Sequence, residues 1–382
     1  MSTSPEAVFT NAAIVLPEEI VHGSVLVRDG RIADVASGPA RTAGIDCEGD
    51  HLMPGLVELH TDHLEGHYSP RPGVHWNMLG AVQAHDGQIA TSGITTVFDC
   101  LRMGSDEDGG FDPAEMRALA DAIETANRDG RLRAEHRLHL RCEVSAPDVL
   151  DALEHFRRDP NVSLVSLMDH APGQRQFQSM EQYTLYYKGK RGLSDAAFEA
   201  FIARRLEQSA RYSAEHRRAI VDHCRAAGIT LASHDDATLA HVEEAVGEGV
   251  AVSEFPTSLD AAKAAHGAGL AVLMGAPNVV RGGSHSGNVS ATDLVGHGVL
   301  DILSSDYVPF SLMQAAFVLA GRIGLPAAAR MVSQTPARAA GLGDRGAVAP
   351  GLRADLVQVR PPREAAEPPV VRGVWREGRR VA

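Results

Sequence analysis

The densest chemistry in the chain lies in "LVELHTDHLEGHYSPRPG", residues 56–73. An apolar run, Leu56-Val57-Glu58-Leu59, ends in His60-Thr61-Asp62-His63, and Glu65, His67 and Arg71 follow. Three histidines and three carboxylates within residues 58–67 are costly unless something uses them. Imidazoles mixed with carboxylates suit Zn²⁺, Mn²⁺, Fe²⁺ or Ni²⁺ rather than a soft thiolate centre. Similar polar clusters close other apolar runs: Glu143, Asp169-His170, Ser233-His234-Asp235-Asp236, Glu254 and Ser305-Asp306. These are ligands enough for one or two divalent metals, and a two-metal site can activate a water between its ions. A lone His-x-Asp, Glu143 alone or Glu254 alone reads equally well as a loop charge. Repetition at the ends of separate runs is what points to a metal site. Glu65 and His67 read either as support for such a site or as surface. His63, His75, His139, His155, His216, His241, His266 and His297 read as surface or helix residues.

The elements that must position these groups alternate in type. Apolar, β-type runs recur at Leu56–Leu59, Thr95–Phe98, Leu138–Val144, Val162–Met168, Thr230–Ala232, Val250–Val252, Ala271–Met274 and Leu300–Leu303. Helical patterns separate most of them. "AEHRRAIVDHCRAAG" puts Ile220, Cys224 and Ala227 on one face and stops at Gly228, a helix-ending residue. Eight βα units with buried strands favour an α/β fold of the (β/α)₈ barrel type. The alternative is a doubly wound open sheet, but no GxGxxG or P-loop opens a helix after the first strand. In a parallel barrel the C-terminal strand ends share one mouth, so His60, Glu143, His170, His234 and Asp306 converge there. Asp62 joins His60, because residues two apart on a strand face the same side. The stretch from Pro172 to His216, with "YYKGKRGLSD", reads as an active-site insertion in a βα loop.

Both ends differ from this middle. Residues 1–54 are short strands and turns, with an Asp29-Gly30 hairpin signal, and "GAVAPGLRADLVQVRP" and "VVRGVWREGRRV" look alike near the C-terminus. One small β-sandwich built from residues 1–54 and 346–382 is expected beside a barrel spanning 55–345.

Net charge is −13, from 36 basic and 49 acidic residues, which argues against nucleic acid or a membrane surface as partner. A small anionic substrate feels local charge and is not excluded. Four cysteines without CxxC spacing fit a reducing cytoplasm. The N-terminus shows no signal-peptide pattern, and no apolar run is long enough to span a bilayer. A homo-oligomer is compatible with the sequence, which does not specify one.

"MPGLVELHTD", the β-rich ends and the closing "GAVAPGLRADLV" resemble the amidohydrolase superfamily across nearly the whole chain. Seven motifs in order give a narrower resemblance: "LHTDHLEGHYSPRPGVHW", "AHDGQIATSGITTVFD", "LMDHAPGQRQF", "LASHDDAT", "EFPTSLDAA", "MGAPNVVRGGSHSGNVSA" and "SSDYVP". They are similar to the triphosphate diphosphatase family of the carbon–phosphorus lyase pathway. The resemblance implies hydrolysis of a small ribosyl phosphonate triphosphate at phosphorus. It implies His60, Asp62, Glu143, His170, His234 and Asp306 as metal ligands, Glu143 as the bridging carboxylate and Asp306 as the general base. Many superfamily members carry His-x-His on the first strand and a carboxylated lysine on the fourth. Here Asp62 replaces the second histidine, and no lysine lies near the third or fourth strand.

Arg71, Arg175, Lys188 and Arg281 are candidates to neutralise phosphate charge. His285 lies in "RGGSHSGN", whose N–H groups could cradle phosphate oxygens. The run Lys188–Arg191 also reads as a solvated loop. Two other functions compete. An amidohydrolase acting on a cyclic amide or amine needs fewer cations than these loops carry. A catalytically dead scaffold would have lost ligands that are present here.

Overall fold

A computed structural model describes residues 6–40, 42–104, 112–175, 184, 194–284, 288–364 and 367–382. The middle of the chain forms one sheet of eight parallel strands. In chain order the N-terminal segment gives β1 (Ala7–Val15), β2 (Ile20–Arg28), β3 (Arg31–Ser37), β4 (Ile45–Asp46) and β5 (His51–Pro54). The parallel strands are β6 (Leu56–Thr61), β7 (Ile94–Met103), β8 (Glu135–Glu143), β9 (Val162–Met168), β10 (Thr230–His234), β11 (Val252–Glu254), β12 (Ala271–Gly275) and β13 (Ile302–Ser304). Each pairs with the next, and a parallel bridge between Thr61 and Asp306 brings β13 back to β6. The result is a nearly closed (β/α)₈ barrel, with each strand where the sequence has an apolar run.

The strands are almost wholly buried, which is why they read as continuous apolar runs rather than alternating ones. Inside the barrel, Val57, Leu59, Phe98, Leu164, Leu273 and Ile302 pack against one another. Ala337, Ala340 and Leu342 join the same cluster. Helices cover the outside through a larger apolar layer.

Two helices after β6 position part of the chemistry. Short α1 (His63–Tyr68) leaves the strand directly, and α2 (Met78–Thr91) starts where the Asn77 side chain accepts from the Gly80 amide at 2.9 Å. The buried face of α2 carries His85 and Asp86 beside Val82 and Ile89. Next, α3 (Pro113–Arg128) opens with a capping box between Asp112 and Glu115.

A single helix, Asp195–Ala227, occupies much of the stretch expected to be an active-site loop. Its Ala, Glu and Arg content favours helix, Ser194 caps its start and Gly228, at φ 68°, ends it. Ile220 and Cys224 are buried as their spacing suggests, whereas Ala227 is exposed. The "YYKGKRGL" segment lies outside the described residues.

The chain ends build a separate mixed sheet. β14 (Leu356–Arg360), β15 (Val370–Arg376) and β16 (Arg379–Arg380) continue from β5, giving the order β16-β15-β14-β5-β1-β2-β3, with β4 beside β1. Phe9 meets Trp375 edge-on within its apolar layer. Arg345 and Arg353 fasten the C-terminal segment to the lower end of the barrel. Both donate to Glu135 Oε2 at the start of β8, Arg345 at 2.7 Å. Arg353 also donates to Asp355 at 2.7 Å.

Candidate metal centre

Strand ends deliver the polar residues to one side of the barrel. His60 closes β6, His234 closes β10 and Glu254 closes β11. The Glu254 carboxylate lies between the two imidazoles, 3.1 Å from His60 Nδ1 and 3.2 Å from His234 Nδ1. Ser166 donates to it at 2.6 Å. Burial would raise Glu254, but His60, His139 and His234 around it hold it well below the usual carboxylate range. An anion can only accept, so His60 and His234 donate through Nδ1 and turn Nε2 away from Glu254.

On the far side of His234 stand Asp235 and His170. Asp235 Oδ2 lies 3.5 Å from His234 Nε2 and 3.7 Å from His170 Nε2. It is buried and has no hydrogen-bond partner among the described residues. Buried polar oxygens rarely stay unmatched. His60, His234 and Glu254 offer donor atoms within 4.8 Å of one another, and so do His170, His234 and Asp235. The two groups share His234. Imidazoles, carboxylates and an unmatched buried oxygen fit one or two divalent cations. His60, His170, His234 and Asp235 would hold them, with Glu254 bracing His60 and His234 from behind.

The remaining expected ligands are placed differently. Glu143 accepts from His170 Nδ1 at 2.7 Å and from the His170 backbone N–H at 3.1 Å. Arg205, from the long helix, donates to its other side at 3.3 Å, and Ser145 donates too. Although burial opposes it, His170 and Arg205 lower Glu143 to about 2. Glu143 therefore orients His170 instead of joining a ligand group. Asp62 is one-third exposed and lies 3.5 Å from Arg141. Asp306 is half-buried at the barrel seam, where its backbone carbonyl accepts from Thr61 Oγ1 at 2.9 Å. None of these three belongs to a group whose donor atoms converge within 4.8 Å among the described residues.

Three strands leave the sheet through strained backbone at this rim. Asp235, Phe255 and Asp306 all have φ between 52° and 56°. Left-handed backbone at a non-glycine residue costs about 1 kcal/mol or more, and such residues gather at functional sites.

The cationic candidates divide. Arg71 and Arg281 are exposed and make no ion pair among the described residues. Arg175 is instead buried, with its guanidinium on Asp236 and on Glu244 at 2.5 Å. That pairing ties the loop after β9 to the segment after β10 and leaves Arg175 shielded from any substrate. Lys188 and His285 lie outside the described residues.

Sequence reasoning passed over several groups. Arg141 is half-buried, with its Nε buried and unpartnered among the described residues, and the period-two alternation His139-Arg141-Glu143 on one strand was the available signal. His139, taken for a surface residue, is fully buried, and Nδ1 faces the Leu59 carbonyl at 2.8 Å. Burial, partly offset by Glu254, lowers it to about 3. His216 is also buried, with Nδ1 3.1 Å from the Val144 carbonyl.

Residues 78–382 match the model of the amidohydrolase family. Over 379 residues the chain is 46% identical to the α-D-ribose 1-methylphosphonate 5-triphosphate diphosphatase of Escherichia coli strain K12, covering 98% of this chain and all of that protein. Among solved structures, it resembles the N-acetyl-D-glucosamine-6-phosphate deacetylase of Mycobacterium smegmatis, at 15% identity and TM-score 0.62 over 99% of this chain and 100% of that one. A D-hydantoinase aligns at 16% identity and TM-score 0.56 over 98% of this chain and 95% of that one. These structural likenesses concern the fold alone. The chain belongs to the amidohydrolase family.

Proposed function

We propose that this chain hydrolyses α-D-ribose 1-methylphosphonate 5-triphosphate to the 5-phosphate and diphosphate, within phosphonate breakdown. The observation that carries this reading is the full-length similarity to the E. coli diphosphatase of that name. Water adds to the α-phosphorus, the bond from that phosphorus to the bridging oxygen breaks, and diphosphate leaves with the electron pair. Asp306 takes the water's proton. His60, His170, His234 and Asp235 would hold one or two divalent cations, with Glu254 orienting His60 and His234. Bound there, such a cation supplies Lewis acidity, favouring hydroxide near neutral pH and neutralising phosphate charge. Glu143 keeps His170 aimed at the centre, and Arg205 keeps Glu143 ionised. Arg71 and Arg281 neutralise the β- and γ-phosphates, with Lys188 and His285 as further candidates. Phosphoryl transfer depends on such positioning and charge neutralisation more than on covalent chemistry. The metal is Zn²⁺, Mn²⁺, Fe²⁺ or Ni²⁺.

A phosphorus NMR assay with the ribosyl triphosphate tests this, run beside hydantoin and dihydropyrimidine substrates. Turnover of the triphosphate to diphosphate is expected. Turnover of a cyclic amide with the triphosphate untouched would replace this reading with an amide hydrolase. No turnover by fully metal-loaded protein would favour a scaffold.

A further inference from the structure

A second group of histidines lies beside the barrel mouth and takes no part in the mechanism above. His63 and His67 are one turn apart on α1, and residues four apart share a helix face. His85 comes from the buried face of α2. The ring centres of His63 and His67 are 4.9 Å apart, and both lie 5.9 Å from that of His85. Each ring offers one nitrogen within 4.8 Å of the others. His63 Nδ1, His67 Nε2 and His85 Nδ1 are all buried without a hydrogen-bond partner among the described residues.

The protons on His85 and His67 are fixed from outside. His85 Nε2 is 2.8 Å from Asp99 Oδ1, and the other Asp99 oxygen is 2.7 Å from His136 Nδ1. His136 Nε2 in turn lies 3.3 Å from Asp86. Burial disfavours charge on His136, but Asp99 and Asp86 raise it to about 9, so it donates to both carboxylates. Asp99 is then an anion that can only accept, and His85 must give it the Nε2 proton. With Nε2 engaged by Asp99, His85 presents its unpartnered Nδ1 to the other two rings. Gln88 bonds the His67 ring, leaving Nε2 free.

We propose that His63, His67 and His85 form a second metal site, a three-imidazole centre for Zn²⁺ or a similar late divalent transition metal. Such a centre leaves one position for water or an outside ligand. Zn–N bonds near 2.0–2.1 Å place tetrahedral donors about 3.4 Å apart, within the 4.8 Å that spans the three nitrogens here. Asp99 behind His85 supplies the carboxylate that commonly orients a metal-bound imidazole. The metal cross-links α1 to α2 and so fixes the segment that follows Asp62.

The test counts metal in four proteins: wild type, His63→Asn/His67→Asn, His60→Asn/His234→Asn, and the four substitutions combined. Each is stripped with dipicolinate, reloaded with Zn²⁺, passed through gel filtration and analysed for bound zinc. The His63/His67 variant should hold one equivalent less than wild type. The His60/His234 variant should keep an equivalent that the combined variant loses. Cobalt in the His60/His234 variant should give visible d–d absorption that the combined variant lacks. Circular dichroism checks folding, and the His60/His234 variant decides alone if the His63/His67 protein does not fold. Equal zinc in wild type and a folded His63/His67 variant overturns the proposal. So does a folded His60/His234 variant that retains no zinc and shows no cobalt band. Neither readout depends on turnover, so failure here is distinct from failure of the diphosphatase reading.

Discussion

The two ends of the barrel treat buried charge differently. At the lower end, Glu135 meets Arg345 and Arg353, and Arg353 also meets Asp355. Guanidinium and carboxylate match there almost group for group. At the mouth the carboxylates of Glu254, Asp235 and Glu143 meet imidazoles, and Asp235 keeps an unmatched oxygen. Arginine cannot give up its proton in this environment, so the lower end is a fixed clamp. Imidazole can offer a lone pair, so the upper end can receive an ion. In barrels of this type the bottom face generally serves stability and the top face chemistry.

Substitutions at the two ends should separate rate from stability. The largest effect is expected from Asp306→Asn, which keeps size but cannot take the proton from water. Loss of a general base lowers kcat by ~10²–10⁴. Its melting temperature should stay near the wild-type value, since the backbone bridge that closes the barrel is unchanged. Retention of more than half of wild-type kcat rules Asp306 out as the base.

At the lower end the pattern should invert. Arg353→Met leaves Asp355, which is 3% exposed, without its ion pair. Breaking a buried pair from one side costs about 3–5 kcal/mol. Denaturant unfolding should show that loss, while turnover per folded molecule stays within about twofold of wild type. A normal unfolding midpoint together with lowered kcat would contradict the division of labour between the two ends.

A smaller effect follows from pH. Despite burial, Arg345 and Arg353 hold Glu135 at about 2, against 4.5 for the free side chain. Because the folded value is the lower one, the stabilisation is complete above pH 4.5. It fades as pH falls toward 2. The full shift corresponds to roughly 3 kcal/mol. Urea melts at pH 6 and pH 3 should show part of this loss in wild type and a smaller drop in Glu135→Gln. Equal pH dependence in the two proteins would remove Glu135 from the acid response.

Much of the barrel was legible because buried parallel strands are continuous apolar runs, and polar residues placed where those runs stop mark the mouth. His60, His170 and His234 could be found that way. Glu254 and Asp235 could not be ranked above their neighbours, because β11 is three residues long and Asp235 acts through a left-handed turn. Glu143 was legible as a strand-end group, but not its engagement with Arg205, which depends on how a distant helix packs. The cluster of His63, His67 and His85 was hidden for the same reason. Its third member arrives from another helix, and Asp99 and His136 arrive from two strands. The long helix was missed because "YYKGKRGL" drew the whole stretch toward a loop reading.

The central claim is that the mouth directs water to the α-phosphorus of a triphosphate. Hydrolysis of the ribosyl phosphonate triphosphate in ¹⁸O-labelled water, followed by mass spectrometry, tests it most directly. The account predicts diphosphate without label and one ¹⁸O in the ribosyl 5-phosphate. Label only in diphosphate would mean attack at the β-phosphorus, and release of orthophosphate would mean cleavage at the γ-phosphorus. Either result would contradict the account.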